Sequence, residues 1–306
     1  MKASLLFCIL FATCSFGNVY AQTGKSDAAY SFGVKIFGHG KPMLLIPGYN
    51  GAGETYNDVV AHYKSKYKCY VITLAGFAGQ PPSGAKSELL KKQRDDIIKY
   101  VINNHLKKPV LIGFSFGGVL ALWIAVTAPA SFGPIIDIDG VPFESALENP
   151  NINLDSLHKD AYTAYKKTST APPALIAKKD SIRKATEYPD GFNYLKKLAS
   201  DSVHIMKILK WDAATDFMSS ALMGIEMETL DLREKISIIR SPILVLGSWQ
   251  GYDILKTKAE AEQAYKLQFA KAKNVTIAFS EHGKHFLMYE DFNWMIKQID
   301  QFLYSK

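Results

Sequence analysis

The sequence predicts an α/β protein: a mostly parallel sheet with helices on both faces and an inserted helical cap. Short, continuous apolar runs alternate with longer segments of helical spacing along most of the 306-residue chain. Such uninterrupted runs are typical of parallel strands that are buried on both faces. A segment of helical character, residues 141–235, interrupts this alternation before the last two strands. We therefore assign residues 22–140 and 236–306 to an α/β core and residues 141–235 to a helical cap.

The individual elements follow from residue type and spacing. Runs rich in Val, Ile and Leu predict strands at residues 34–37, 43–46, 69–74, 110–113, 135–138, 243–246 and 275–279. Apolar residues three and four positions apart predict helices at residues 54–66, 87–105, 117–128, 256–271 and 290–304. The repeated order of strand, helix and strand implies that the sheet is mostly parallel and covered on both faces.

Composition excludes several classes of protein. Hydrophobic residues make up 48% of the chain and charged residues 21%, which excludes a collagen, a coiled-coil rod or a mostly disordered chain. The net charge is +7, from 36 Lys and Arg against 29 Asp and Glu. No basic run interleaves with aromatic residues, so we predict no nucleic-acid partner. We interpret the charge as a solvated basic surface, with attraction to anionic envelope polymers or acidic substrates as the alternative.

The first 21 residues have the pattern of a secretory signal peptide. A short basic start with Lys2 leads into an apolar run at residues 5–12, and Ala21 ends a small-residue cleavage pattern. The apolar run is too short to span a bilayer. We therefore predict cleavage before Gln22, export to the periplasm or the medium, and no stable membrane insertion afterwards.

Two alternatives to this cleavage are open from the sequence. The segment could remain as an uncleaved anchor, or Cys14 could carry a lipid that anchors the protein. Cleavage would remove two of the three cysteines and leave Cys69 alone, so the mature chain would form no internal disulfide.

The motif Gly113-x-Ser115-x-Gly117 lies between a predicted strand and a predicted helix. At such a turn the serine is held in a strained conformation at the carboxyl end of a parallel strand. Glycines flank it because a Cβ atom at either position would clash with the neighbouring strand and helix. The following helix points its first N–H groups at developing negative charge. We predict that Ser115 is a catalytic nucleophile; the alternative is a turn that only caps the helix.

A serine hydroxyl needs a general base near neutral pH. The loop after the last predicted strand offers two candidates, His282 and His285. We favour His285, because the apolar pair Phe286 and Leu287 that follows it would anchor the loop as the final helix begins. The spacing of the two histidines also suits a metal pair, but no third ligand is evident in the sequence, so we predict no metal and no cofactor.

An oxyanion hole needs donors aimed at the developing charge. The N–H of Phe116, directly after the predicted nucleophile, is one candidate. The N–H of Tyr49 is the other, because Gly48 lets the loop after the strand at 43–46 bend close to the site. An ordinary glycine turn is the alternative for that loop. We also predict that Phe114 and Asn50 contribute to the substrate pocket.

Together these motifs resemble the α/β-hydrolase superfamily over nearly the whole predicted mature chain. The matching segments are residues 38–42, 47–49, 74–80, 113–118, 231–233, 239–247 and 285–286. The serine turn and the histidine loop are the specific part of the resemblance, and the other segments support it by their order. Pro47 departs from the pattern, because many members have His there.

The resemblance leaves the acid of a catalytic triad open between two residues. Members commonly carry Asp three residues after the glycine that ends the penultimate strand, and that position here is Gln250. Asp253 lies three residues further on and would need a longer loop. Other members supply the acid at the end of the strand after the serine helix, where Asp139 lies. We favour Asp139, with Asp253 as the alternative, to orient His285 and steady its imidazolium.

The resemblance implies a serine hydrolase that cleaves a small or medium carboxylic ester, or an amide, through an acyl-enzyme. Fold alone does not separate this activity from aminopeptidase, lactonase, carbon–carbon hydrolase or haloperoxidase chemistry. A haloalkane dehalogenase is disfavoured, since that chemistry would require Asp in place of Ser115. A non-catalytic ligand-binding protein is the alternative from another class, and Gln250 is its best support.

Overall fold

The computed structural model describes residues 22–23, 30–250 and 255–304. The predicted signal segment with Cys14, and the alternative acid Asp253, lie outside these residues. In the described part of the chain, no helix is both long and apolar enough to cross a membrane.

One eight-stranded sheet organises the described residues. Its strands are β1 (Gln22–Thr23), β2 (Phe32–Phe37), β3 (Lys41–Ile46), β4 (Tyr67–Leu74), β5 (Val110–Phe114), β6 (Ile135–Ile138), β7 (Ile243–Gly247) and β8 (Val275–Phe279). They lie in the order β1-β2-β4-β3-β5-β6-β7-β8. The pairs β1–β2 and β2–β4 are antiparallel, and the other five pairs are parallel. The prediction of a mostly parallel sheet is confirmed.

Helices connect the strands and fill the insertion before β7. They are α1 (Asn57–Tyr63), α2 (Leu89–Asn103), α3 (Phe116–Thr127), α4 (Glu144–Glu148), α5 (Leu154–Ser169), α6 (Pro173–Thr186), α7 (Phe192–Leu198), α8 (Ser202–Ala214), α9 (Phe217–Glu228), α10 (Lys258–Gln268), α11 (Leu287–Glu290) and α12 (Phe292–Tyr304). The run from α4 to α9 lies between β6 and β7, as the predicted helical insertion requires. α9 packs on both α2 and α5, so it joins the insertion to the sheet-bearing core.

The sheet is covered on both faces, because alternate side chains of a strand point to opposite sides. On β3, Met43 and Leu45 belong to an apolar cluster with residues of α1 and α12. Leu44 and Ile46 belong to a second cluster with residues of α2, α3 and α10. All four side chains are fully buried. This two-sided burial explains why the strands appear in the sequence as uninterrupted apolar runs.

Predicted element ends differ from the structure by a few residues. The predicted helix 54–66 begins as one turn of 3-10 helix, Gly53–Tyr56, and α1 ends at Tyr63. β5 continues one residue past its predicted end, to Phe114, because the chain leaves the strand only at Ser115. Apolar spacing identifies the buried face of an element but not the residue at which its hydrogen bonds end.

Candidate active site

Ser115 lies in the sharp turn between β5 and α3. Its backbone has φ +52° and ψ −120°, outside the conformations that a residue with a Cβ ordinarily adopts. Its N–H donates to the carbonyl of Ile138 at 2.8 Å, and its carbonyl accepts from the N–H of Gly118 at 2.7 Å. Hydrogen bonds to the end of β6 and to the helix therefore hold the residue in this strained state.

The two glycines of the motif are required by close packing. A Cβ on Gly113 would lie 2.1 Å from the carbonyl oxygen of Gly117, and a Cβ on Gly117 would lie 2.2 Å from that of Ile46. Both distances are shorter than any normal carbon–oxygen contact, and both partners are backbone atoms. Any larger residue would therefore push α3 away from the sheet.

Asp139 and His285 meet at the carboxyl edge of the sheet. Asp139 directly follows β6 with φ +54°, and His285 lies in the loop after β8. The distance between His285 Nδ1 and Asp139 Oδ2 is 2.7 Å. An ionised carboxylate only accepts hydrogen bonds, so Nδ1 is the donor of this pair, and in the neutral form of the ring Nε2 is then an acceptor. That is the form of histidine that can take a proton from a hydroxyl.

The carboxylate of Asp139 accepts three further hydrogen bonds inside the core. Ser248 donates from its N–H at 2.7 Å and from its hydroxyl at 2.6 Å, and the Tyr265 hydroxyl donates at 2.9 Å. Asp139 is only 4% exposed, so these donors replace the water that a buried carboxylate loses. Sequence reasoning missed both donors. The available signal was that Ser248 directly follows β7, the strand beside β6.

Aromatic contacts bring the histidine loop to the serine turn. The His285 ring lies 4.9 Å from the ring of Phe114 and 5.4 Å from that of Phe286, measured between centroids. Phe114 directly precedes Ser115, and its buried ring packs against that of His285. Its role in a pocket wall stays a prediction. His282 is exposed, and its described hydrogen bond is made by its backbone.

Asp137, within β6, makes a different set of contacts from Asp139. Its Oδ1 accepts from the N–H of Gly140 at 3.0 Å and lies close to Gly118 at the start of α3. Burial has the largest effect on this carboxyl and raises its pKa well above the usual range, because it disfavours the charged form. The hydrogen bond from Gly140 lowers the pKa, and the nearby carboxylates raise it. Asp137 therefore supports the loop that carries Asp139 rather than the histidine.

Tyr49 follows β3 and reaches from the core to the cap. Its ring lies 5.5 Å from the rings of both Phe77 and Phe116. Its hydroxyl donates to the carbonyl of Ser220 on α9 at 2.8 Å and accepts from the Ser220 hydroxyl at the same distance. Loss of hydration raises the pKa of the Tyr49 hydroxyl, so it remains a neutral donor. Phe116 begins α3, where the first N–H groups have no partner within the helix.

A polar network braces the same loop from the cap. Asn50 is buried with φ +53°, and its Nδ2 donates to Asp212 Oδ1 on α8. Arg183 of α6 donates to Asp212 Oδ2 at 2.8 Å and to the backbone carbonyls of Asp212 at 2.7 Å and Thr215 at 3.0 Å. Sequence reasoning placed Asn50 near the site but missed Asp212 and Arg183, because no local motif links residues 130 or more positions apart.

Gln250 and Asp253 are the other two positions that the sequence singled out near the proposed acid. Gln250 donates from Nε2 to the carbonyl of Glu281 at 3.3 Å, at the edge of the sheet. Asp253 lies outside the described residues, so the alternative acid stays a prediction. Within residues 30–250 and 255–304, no three side chains are grouped in a way that could hold a metal ion.

The fold and the serine turn define a class of protein, the α/β hydrolases. The model of the α/β hydrolase family matches residues 43–292, from within β3 to the start of α12. The match covers most of the chain, and the protein belongs to this family.

Over part of its length, the chain is also similar in sequence to individual curated proteins. A pimeloyl-[acyl-carrier protein] methyl ester esterase from Aliivibrio salmonicida is 27% identical over 105 residues, which cover 34% of this chain and 38% of that protein. The protein of the same name from Legionella pneumophila strain Corby is 26% identical over 117 residues, covering 38% and 45%. The chain thus spans less than half the length of these relatives.

Solved structures resemble nearly the whole chain. A hydrolase from Oleispira antarctica superimposes with a TM-score of 0.68 at 16% identity, covering 92% of this chain and 97% of that one. An enol-lactonase from Burkholderia xenovorans LB400 gives a TM-score of 0.64 at 14% identity, covering 89% and 96%. At these identities the likeness shows the fold alone.

Proposed function

We propose that the protein is a serine hydrolase that cleaves a small or medium carboxylic ester through an acyl-enzyme. The observation that carries the proposal is the 2.7 Å contact of His285 Nδ1 with Asp139 Oδ2, beside the strained turn of Ser115. A buried carboxylate, an imidazole and a serine turn at one edge of a parallel sheet are the groups that acyl transfer needs. The partial similarity to methyl ester esterases supports an ester as substrate.

In the proposed reaction, Ser115 Oγ attacks the ester carbonyl carbon while His285 Nε2 accepts the hydroxyl proton. Asp139 stabilises the resulting imidazolium. The N–H groups of Phe116 and Tyr49 stabilise the tetrahedral oxyanion, and losing one such donor costs about 2.7–4 kcal/mol. The imidazolium protonates the alcohol as the carbon–oxygen bond breaks. His285 then deprotonates a water molecule that attacks the acyl carbon. The imidazolium returns this proton to Ser115 Oγ as the bond between Oγ and the acyl carbon breaks and the acid leaves.

The surroundings of the proposed oxyanion hole favour an apolar substrate. Tyr49, Phe77 and Phe116 form an aromatic cluster there, with ring centroids 5.5–5.7 Å apart. Asn50 adds a buried polar group, whose Oδ1 has no hydrogen-bond partner among the described residues. Apolar walls with few polar groups suit a hydrocarbon acyl or alcohol chain rather than a sugar.

Hydrolysis of p-nitrophenyl and methyl esters of graded chain length tests this proposal. We expect turnover by the purified protein and a loss of about 10⁶-fold in kcat for Ser115→Ala, since the catalytic groups act as a unit. His285→Ala should lose activity to a similar degree. The matched variant His282→Ala should keep it, because that side chain is exposed. Full activity in Ser115→Ala would rule out the mechanism, and a folded protein that binds esters without cleaving them would indicate a binding function.

We further propose that residues 1–21 direct export and are then removed. The sequence pattern supports this, and Gln22, the first residue after the predicted cleavage, begins β1 and pairs with Ile36 at the edge of the sheet. N-terminal sequencing of the protein recovered from the periplasm or medium should find Gln22. An intact Met1, or a lipid on Cys14, would contradict the proposal.

A further inference from the structure

α6 has no buried side chain, whereas α8 has two and α9 has five. Leu175 and Ile182 are 41% and 54% exposed and lie seven residues apart, on one face of the helix. Lys178 and Lys179 lie between them on the same face and are also exposed. We call these four residues the α6 stripe. Arg183 lies on another side of α6, where it bonds to the end of α8.

Exposed apolar side chains concentrate in the part of the insertion that contains the stripe. In the described residues, twelve large apolar side chains are exposed, and seven of them lie between positions 154 and 203. These seven are Leu154, Tyr162, Leu175, Ile182, Tyr188, Tyr194 and Val203. Single exposed apolar residues are ordinary, whereas an aliphatic pair on one helix face, in a segment rich in such residues, suits contact with another apolar phase.

Positive charge concentrates in the same segment. Residues 159–210 hold eleven Lys and Arg against five Asp and Glu, which accounts for six of the seven net charges of the chain. Lys166 Nζ lies 5.1 Å from the centre of the Tyr162 ring, and Lys196 Nζ lies 4.9 Å from that of Phe192. Lysines and tyrosines of this kind keep their polar ends in water while their apolar parts contact a hydrocarbon surface.

We propose that the α6 stripe and the surrounding basic segment, residues 159–210, dock the protein on the surface of an anionic lipid bilayer. Leu175 and Ile182 enter the boundary between headgroups and acyl chains, and the lysines meet the anionic headgroups. A soluble polyanion explains the charge but not the exposed aliphatic pair, which is why the bilayer is the occupant. The helix lies in the plane of the surface, since its 14 residues are too few to span a bilayer.

Sedimentation of the full-length mature protein with lipid vesicles tests the proposal. We expect at least about tenfold stronger partitioning onto equimolar phosphatidylglycerol and phosphatidylcholine than onto phosphatidylcholine alone, since each basic residue near the surface adds about fivefold. High salt should reduce this difference. Equal binding to the two kinds of vesicle, or none to either, would overturn the proposal.

Paired charge substitutions separate the stripe from general surface effects. The double variant Leu175→Glu with Ile182→Glu should lose at least about tenfold in binding to the anionic vesicles. The matched double variant Ile102→Glu with Leu267→Glu changes the same residue types and the same charge at exposed sites of α2 and α10, and it should keep most of the binding. Equal losses in the two variants would overturn the proposal, with circular dichroism showing that both are folded.

A third measurement separates a bilayer from an acidic polymer. If soluble polyglutamate binds the wild type and the Leu175→Glu with Ile182→Glu variant equally, while vesicles bind only the wild type, the aliphatic pair is specific for lipid, as proposed. Strong binding of polyglutamate together with no vesicle binding would contradict the proposal and indicate an acidic macromolecule as the partner. None of these readouts depends on ester hydrolysis.

Discussion

The core side and the cap side of the candidate site are held by different kinds of contact. On the core side, Ser115 and Asp139 both have positive φ and are fixed by backbone hydrogen bonds and by glycine packing. On the cap side, side chains hold the loop after β3, through Tyr49 to Ser220 and Asn50 to Asp212. The proposed nucleophile and acid therefore lie on a sheet edge held by backbone contacts, whereas the position of the Tyr49 N–H, a proposed oxyanion donor, depends on side chains of the helical insertion.

The largest effect expected on the core side comes from Asp139→Asn. The substitution removes the charge that steadies the imidazolium and should lower kcat by about 10⁴-fold. The matched variant Asp253→Asn should hydrolyse esters at the wild-type rate, as measured with the best p-nitrophenyl ester. A wild-type rate in Asp139→Asn together with a large loss in Asp253→Asn would instead assign the role of the triad acid to Asp253.

On the cap side, Arg183→Met tests whether the cap positions the oxyanion loop. Without Arg183, Asp212 loses its guanidinium partner and holds Asn50 less firmly, so kcat should fall by roughly 10–100-fold while KM changes little. Arg233→Met is the matched control, because Arg233 also bonds to a carboxylate, that of Asp231, at the similar distance of 2.7 Å, and Asp231 has no described bond to Asn50. Equal kinetic effects of the two substitutions would show that only general stability is involved.

A smaller effect is expected for Ser248→Ala. The variant removes the hydroxyl that donates to Asp139 at 2.6 Å and leaves the backbone donor at 2.7 Å, so kcat should fall by roughly tenfold. Steady-state kinetics measure this directly. An unchanged kcat would mean that the remaining donors, including the Tyr265 hydroxyl, suffice to hold the carboxylate.

The smallest effect concerns stability rather than catalysis. The pKa of Asp137 is raised in the folded state, chiefly by burial, so the protonated form is favoured by folding. Its stabilising contribution is complete below the ordinary pKa of about 3.9 and is lost as the pH rises toward the raised value. Asp137→Asn should remove this loss, so the stability of the variant relative to the wild type should rise as the pH increases above about 4. Urea denaturation at several pH values measures the difference; a constant difference would contradict the assigned pKa shift.

The difference between local backbone contacts and contacts from distant segments also explains which parts of the site could be predicted from the sequence. The turn around Ser115 was predictable, because two glycines on either side of a serine after a buried strand have a local steric cause. Asp139 was predictable only as one of two candidates, because strand order decides which strand end lies near His285.

The contacts that the sequence did not predict join distant segments. Ser248 and Tyr265 reach Asp139 across more than 100 residues, and Arg183 reaches Asp212 from another helix of the insertion. No periodicity or motif specifies such pairs, since they depend on how the insertion packs on the core. Helices and strands were predictable from the spacing of apolar residues in the sequence, whereas the ends of these elements were not.

The central claim is that Ser115 is a nucleophile activated by His285. Reaction with a fluorophosphonate probe, followed by intact-mass measurement and peptide mapping, tests it most directly. We predict one adduct per chain on Ser115, absent in Ser115→Ala, strongly slowed in His285→Ala and unchanged in His282→Ala. Folded protein that forms no adduct, or an adduct that persists in Ser115→Ala, would contradict the claim.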